Sequence, residues 1–285
     1  MSETTYKTFA VLGAGTVATP LIKELLAHNA SVLVVTRPSA RARVLPAGAK
    51  HVAIDYADID ALATAFRENN VEVVVSTINH DNLDAQPPTA EAAKKANVEL
   101  YVPSEYGAPT AGHTEGLLGV KNRFAESLTA AGLPFARLYV GNFVDWIPYL
   151  FALSETGKLN IIGEGTTRGS FTAVSDITGF LAYVLTHLQP SQLHNATFRI
   201  EGDRKSLVEL ASLYGDKFPV ARISAFPATV ENGPLRTWLQ SALNSGIAST
   251  GFDAVKGKDD EDLARSSNSL WPGHQWKSAK EVLDL

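Results

Sequence analysis

The first 140 residues alternate short β-branched runs with segments of helical apolar spacing, and that rhythm narrows the fold more than any other feature of the chain. Strand-like runs fall at residues 8–12, 31–36, 51–54, 71–77, 100–102 and 135–139. Residues 17–28, 59–69, 89–96 and 121–131 carry helical apolar spacing, each ending near Asn or Gly as helices often do. Strand, helix, strand in succession dictates parallel pairing, because the intervening helix returns the chain across a sheet face. The runs Val32-Leu33-Val34-Val35 and Val73-Val74-Val75 are apolar on both faces, so helices must cover both sides. With right-handed crossovers, this predicts an α/β fold built on a doubly wound parallel sheet.

After residue 150 the rhythm loosens. Strands are expected at 159–162 and 170–173 around the turn Gly163-Glu164-Gly165, followed by a helix at 174–187. Further strands at 197–200 and 222–225 and helices at 207–214 and 235–244 complete a smaller α/β portion. The chain is thus expected to divide into residues 1–150 and 151–285, the second partly interleaved with the first. The charged run 256–262 reads as a solvated loop or a helix start.

Composition removes several chemistries. Among 285 residues there is no cysteine, which excludes a disulfide framework, a thiolate nucleophile, and zinc or iron-sulfur sites held by thiolates. With 25 basic against 30 acidic side chains and no basic run, the chain lacks the positive stripe that nucleic-acid binding needs. The 7 histidines show no H-E-x-x-H spacing, so no catalytic metal is expected. Neither a G-x-S-x-G elbow nor a G-x-x-x-x-G-K-[ST] loop occurs, which disfavours hydrolase and nucleotide-triphosphatase readings. Residues 1–6 are polar, and the apolar stretch 9–17 is interrupted by Gly13 and Gly15. No signal peptide, no membrane span and a cytoplasmic location are therefore expected, and the sequon at Asn195 then has no glycosylation meaning.

Directly after the first strand comes Gly13-Ala14-Gly15-Thr16-Val17-Ala18, a G-x-G-x-x-A pattern opening into a helix. Gly13 permits the tight turn, Gly15 lets backbone approach a pyrophosphate, and Ala18 lets the helix sit close against the strand. The helix start adds free N–H donors and partial positive charge for phosphates. In this context the six residues predict dinucleotide binding. The second strand ends in Thr36-Arg37-Pro38-Ser39, with Arg41 and Arg43 following, where a carboxylate would hold a free ribose 2′-hydroxyl. Arginine instead suits a 2′-phosphate, so NADP(H) is expected over NAD(H), unless Arg37 is only an exposed loop residue. Asp55 closes the third strand and Ser76-Thr77 the fourth, at the sheet end where ligands bind. They are candidates for the adenine and nicotinamide halves respectively, with Asp55 equally readable as a turn cap.

Next in the chain stand Pro103-Ser104-Glu105-Tyr106-Gly107, Lys121, Gly141-Asn142-Phe143, and the block from Gly163-Glu164-Gly165 to Asp176-Ile177. With the glycine loop, Arg37 and Val74-Val75-Ser76-Thr77, these make the sequence resemble the NmrA-like, isoflavone-reductase-like branch of the atypical short-chain dehydrogenases, closest to fungal members. The resemblance covers most of residues 8–190; the remaining third matches loosely. It implies a Rossmann domain with a smaller substrate domain, NADPH as cofactor, and reduction of a small aromatic or phenolic metabolite. It also implies that Pro103, Ser104, Lys121, Asn142 and Phe143 adjoin the cofactor. Lys121 matches the family's catalytic lysine, and no tyrosine is followed four residues later by lysine, as fits this branch. A protonated amine there would stabilise negative charge on a reducing carbonyl or phenolate. In the same branch Phe is common where this chain has Tyr106, which favours substrate lining or packing for Tyr106 over proton donation.

Aromatic residues beyond Asn142 could stack on the nicotinamide or an aromatic substrate, giving Phe143, Trp146 and Tyr149 as substrate candidates; Trp146 and Tyr149 are also spaced for packing on one helix. His113 lies in a glycine-rich loop, residues 112–119, expected as a mobile lid before Lys121, where it either contacts substrate or is simply exposed. The resulting expectation is an NADPH-dependent reductase of a small molecule, monomeric or homodimeric. Two rivals stay open: a non-catalytic NADP(H)-binding redox sensor of NmrA type, and a redox-neutral isomerase or cyclase that keeps the cofactor site.

Overall fold

Five strands of the first half, β1 (Thr8–Leu12), β2 (Ser31–Thr36), β3 (Lys50–Ala53), β4 (Val73–Ser76) and β5 (Leu100–Val102), form one sheet in the order β3-β2-β1-β4-β5. Every neighbouring pair is parallel. The computed structural model describes residues 5–40 and 44–285, so Arg41 and Arg43 lie outside the described residues. Valines dominate β2 and β4 because a branched side chain packs well on a pleated surface buried from both sides. The helices α1 (Ala18–Ala27), α2 (Ile59–Glu68), α3 (Gln86–Lys95) and α4 (Gly116–Ala131) follow β1, β3, β4 and β5 respectively, and among the described residues no helix lies between β2 and β3. One core cluster joins Leu12, Val35, Leu62, Phe66, Val74, Tyr101, Phe124 and Leu128. Each fully buried Leu or Phe in it contributes roughly 1.5–3 kcal/mol through removal of apolar surface from water. The next strand, β6 (Ala136–Tyr139), follows a parallel bridge between Tyr101 and Phe135.

The start of α4 departs from expectation. The chain becomes helical at Gly116, so residues 116–119 belong to the helix and Lys121 sits in its second turn. A glycine-rich stretch reads as loop, yet Gly119 serves packing: a Cβ there would collide with the Thr114 backbone. Lys121 therefore lies beyond the first turn, the part of the helix in which the dipole would disfavour a cation.

Later strands are β7 (Asn142–Phe143), β8 (Leu159–Ile162), β9 (Gly169–Thr172), β10 (Ala196–Arg199), β11 (Asp203–Lys205) and β12 (Val220–Ile223). By contacts the chain separates into two units. The first contains Met1–Glu105, His113–Leu138 and Thr178–Phe198; the second contains Tyr106–Gly112, Tyr139–Ile177 and Arg199–Leu285. In the second unit, β9 lies between antiparallel β11 and parallel β7, while β8 pairs in parallel with β12. Its core gathers Ile147, Phe151, Leu159, Ile161, Phe171, Leu207, Leu210 and Leu243. Among the described residues, no helix is long and apolar enough to cross a membrane.

The helix Leu207–Leu213 in this unit begins with a reciprocal cap, in which Ser206 and Glu209 satisfy each other's backbone N–H groups. Arg168 donates to both oxygens of Glu209 and holds its carboxyl down at about 2. A depressed carboxyl stabilises the fold above its unfolded value and loses that contribution as pH falls through the folded value. Glu209→Gln is accordingly expected to flatten the dependence of melting temperature on pH between about 4.5 and 2, with the wild type losing more stability over that window. Parallel thermal melts of the two proteins across acid pH measure the difference, and identical slopes would exclude this contribution.

Candidate functional site

At the carboxyl ends of β1, β2 and β4, a cleft of about 310 Å³ is lined by Gly13, Ala14, Gly15, Thr36, Arg37, Ala40, Tyr56, Thr77, Ile78, Asn79 and Asn82. This is the switch point of the sheet: β2 and β3 extend to one side of β1, β4 and β5 to the other, and the diverging loops leave a crevice. Gly13 turns the chain at φ +111, donates to the Val35 carbonyl at 2.9 Å, and would put a Cβ 2.7 Å from Thr77 Oγ1. Only glycine fits that position. Around Gly15 there is nothing within 4 Å of a built Cβ, so its backbone faces open space where a pyrophosphate can approach. Val17 begins α1 without a side-chain cap, Ala18 is fully buried against the sheet, and Thr16 is exposed. No side chain caps the helix start, an arrangement that suits the phosphates of a ligand.

Arg37 lines the same cleft, with Nη1 donating to Asn82 Oδ1 at 3.2 Å. Thr77 lines it too, its hydroxyl donating to the Leu12 carbonyl at 2.7 Å. Ser76, one residue earlier, is fully buried in the sheet and is not among the lining residues. Asp55 is also absent from the lining: its carboxylate accepts the Ala57 N–H at 3.0 Å, the turn-cap arrangement. The next residue, Tyr56, takes the place at the wall, where its hydroxyl donates to the Val35 carbonyl at 2.9 Å. Burial pushes the Tyr56 phenol up to about 12, so it remains a neutral donor. Tyr56, Asn79 and Asn82 carry no motif of their own; the only signal for them is that they follow the ends of β3 and β4.

The Pro103-Ser104-Glu105 segment leaves β5 buried. Ser104 is tied down twice, its N–H donating to Gln86 Oε1 at 2.8 Å and its hydroxyl to the Ile78 carbonyl at 2.7 Å. Ser104 thus joins the strand-five turn to the β4 loop that walls the cleft. From α4, the part-buried Lys121 donates through Nζ to the Glu105 carbonyl at 2.7 Å. Burial of the ammonium lowers the Lys121 pKa below the usual lysine range, and the charge of Glu105 opposes that shift only in part. The Glu105 carboxylate is almost wholly buried and faces Arg137 Nε at 3.7 Å, while Arg137 also donates to Asn122 Oδ1 at 3.3 Å. Lys121 is thus anchored to a neutral carbonyl, while the carboxylate of the same residue faces Arg137. His113 is part-buried; its carbonyl accepts from Asn122 Nδ2 at 3.2 Å, and burial lowers its imidazole pKa.

The remaining candidates belong to the second unit. Tyr106 is part-buried, and Asn142 and Phe143 form β7 against β9. Trp146 and Tyr149 do not share one helix: Trp146 closes a 3-10 turn, and Tyr149 lies in the short helix Ile147–Leu150. They still form an aromatic ladder. The Phe143 and Trp146 rings meet edge to face with centroids 4.9 Å apart, and Trp146 lies 5.9 Å from Tyr149. Arg236, buried and paired with Glu155 at 2.6 Å, places its guanidinium 3.8 Å from the Tyr149 ring centroid. That contact occupies one ring face of Tyr149, while Trp146 keeps 42% of its surface exposed.

A strand, a glycine turn and an uncapped helix at a switch point, with a cation ending the neighbouring strand, define a Rossmann-type dinucleotide-binding protein. A family model described as NAD(P)H-binding matches residues 13–187, and the chain belongs to that NAD(P)H-binding family. An oxidoreductase from the fungus Botryotinia fuckeliana is 25% identical over 236 residues, covering 74% of this chain and 77% of that protein. Among solved structures, the NADPH complex of leucoanthocyanidin reductase from Vitis vinifera superposes with TM-score 0.76 at 18% identity, covering 97% of this chain and 98% of that one. An isoflavone reductase gives TM-score 0.75 at 18% identity over 98% and 99% of the two chains. An NADPH-dependent quinone oxidoreductase from Escherichia coli gives 0.73 at 19% over 97% and 98%. At these identities the likeness is one of fold, and it is a fold shared with leucoanthocyanidin reductase and isoflavone reductase. The cofactor is NADP(H): the family binds the nicotinamide dinucleotide, and Arg37 is the cation that lines the cleft.

Proposed function

We propose that the protein is an NADPH-dependent reductase of a small aromatic or phenolic metabolite, with Lys121 as the residue that stabilises charge or moves a proton during reduction. The observation that carries the reading is the Lys121 ammonium, part-buried on α4 and directed to the Glu105 carbonyl beside the end of β5. NADPH, when bound, supplies the hydride. Gly13 and Gly15 leave room for the pyrophosphate, the α1 start offers it N–H donors, and Arg37 meets the 2′-phosphate. Lys121, with its pKa lowered by burial, holds a proton that it can donate to oxygen as negative charge develops on a reducing carbonyl or phenolate. Phe143, Trp146 and Tyr149 offer flat apolar faces that suit an aromatic substrate. In support, the fold is shared with reductases named for isoflavones and leucoanthocyanidins.

Titrating the protein with NADPH by fluorescence, then following reduced-nicotinamide absorbance with phenolic and enone compounds, tests the proposal. NADPH oxidation with one compound class is expected. Binding without oxidation by any of them would transfer the reading to a redox sensor or a redox-neutral enzyme.

A further inference from the structure

The cation that selects the phosphorylated cofactor does not stand alone. Arg37 sits in the cleft wall at the end of β2 and is exposed, a setting in which a long side chain samples many rotamers. It is held from across the cleft by the segment after β4. Its Nη1 donates to Asn82 Oδ1 at 3.2 Å, Asn82 Nδ2 donates to Asn79 Oδ1 at 2.6 Å, and Asn79 Nδ2 reaches Asp81 Oδ2 at 3.4 Å. The direction of this relay is determined. Asn79 turns its amide toward the Asp81 carboxylate, which leaves its carbonyl to receive the Asn82 amide, and the Asn82 carbonyl is then the group that faces the guanidinium. Asp81 is also drawn to His80, whose Nε2 lies 3.2 Å from Asp81 Oδ1. Asn82 itself has non-helical backbone angles, φ −133 and ψ 30, within an otherwise 3-10 segment, so the chain bends where this side chain meets the cleft.

We infer that Asn82 is a positioning residue for cofactor choice: it holds Arg37 ready for the 2′-phosphate and so sets the preference for NADPH over NADH. One guanidinium N–H is engaged by Asn82, and the other donors of the planar fork remain for phosphate oxygens. Asn82 is uncharged, so it orients the cation without neutralising it. A carboxylate at the same position would occupy Arg37 and repel the 2′-phosphate. The inference rests on the NADP(H) assignment and adds to it a determinant outside the glycine loop and outside the end of β2.

The test measures dissociation constants for NADPH and NADH by fluorescence titration, and for adenosine 2′,5′-bisphosphate against adenosine 5′-monophosphate by calorimetry. Wild type, Asn82→Ala and Asn82→Asp are compared, with thermal melting to establish folding. Asn82→Ala is expected to weaken NADPH and the bisphosphate about 3- to 10-fold, as for loss of one orienting hydrogen bond, with NADH and the monophosphate unchanged. Asn82→Asp is expected to move the same ratio further, by more than about 10-fold, through neutralisation of Arg37. An unchanged NADPH/NADH ratio in both variants would overturn the inference, as would tighter NADPH binding by Asn82→Ala or equal weakening of both cofactors. A wild type that binds NADPH and NADH equally would instead undo the role given to Arg37, which separates the two failures.

Discussion

Lys121→Met is expected to lower turnover about 10²- to 10⁴-fold, the range lost when a positioned proton-transfer group is removed, while the protein still folds and binds NADPH. Methionine keeps an unbranched apolar stem on α4, so packing changes little, whereas the donor to the Glu105 carbonyl disappears. The wild-type pH profile carries a second signature. The active form is the ammonium, and burial lowers its pKa from the ordinary 10.5, so activity should fall with rising pH at a lower pH than for an exposed lysine. The methionine variant should lack that limb. Steady-state kinetics with the substrate class found in the oxidation screen measures both effects, and turnover near that of the wild type would remove Lys121 from the mechanism.

Arg37→Ala is expected to raise the NADPH dissociation constant about 10- to 100-fold, as for loss of charge-assisted hydrogen bonds, and to leave NADH within about 3-fold. The glycine turn and the start of α1 do not depend on this side chain. Gly13 and Gly15 act through backbone, and the start of α1 is intact in the variant. The loss should therefore also shrink as salt is raised in the wild type, because an exposed cation meeting an anion is screened. Titrations with both cofactors at two ionic strengths decide the matter. Equal loss of NADPH and NADH would mean that Arg37 shapes the loop rather than reads the phosphate.

Much of the cofactor half was legible in the linear chain because its signals are local. The runs 8–12 and 31–36 become β1 and β2 with those bounds, and the glycine loop lies between β1 and α1 as its spacing requires. Gly13 lines the cleft for the reason given by its pattern, a tight turn too close to Thr77 for any side chain. Which of the candidates line the cleft was decided by contacts that the linear chain does not display. Ser76 and Thr77 look equivalent in sequence, but Ser76 is fully buried as the last residue of β4, whereas Thr77, just past the strand, lines the cleft. Asp55 satisfies its own turn, so the wall position passes to Tyr56. The glycines before Lys121 read as a flexible lid, whereas Gly119 is helical and small because the Thr114 backbone crosses it.

What the residue order determined is the strand and helix alternation, the parallel sheet it forces, and the glycine turn that ends its first strand, all consequences of periodicity and backbone sterics within a few residues. Only the tertiary structure decided which groups share a wall or a charge. Asn82 meets Arg37 from 45 residues away, and Lys121 finds a carbonyl 16 residues upstream with Arg137 holding the adjacent carboxylate. Such pairings depend on how separate strands line up across the sheet, and that alignment is set by packing of the whole core rather than by any short segment.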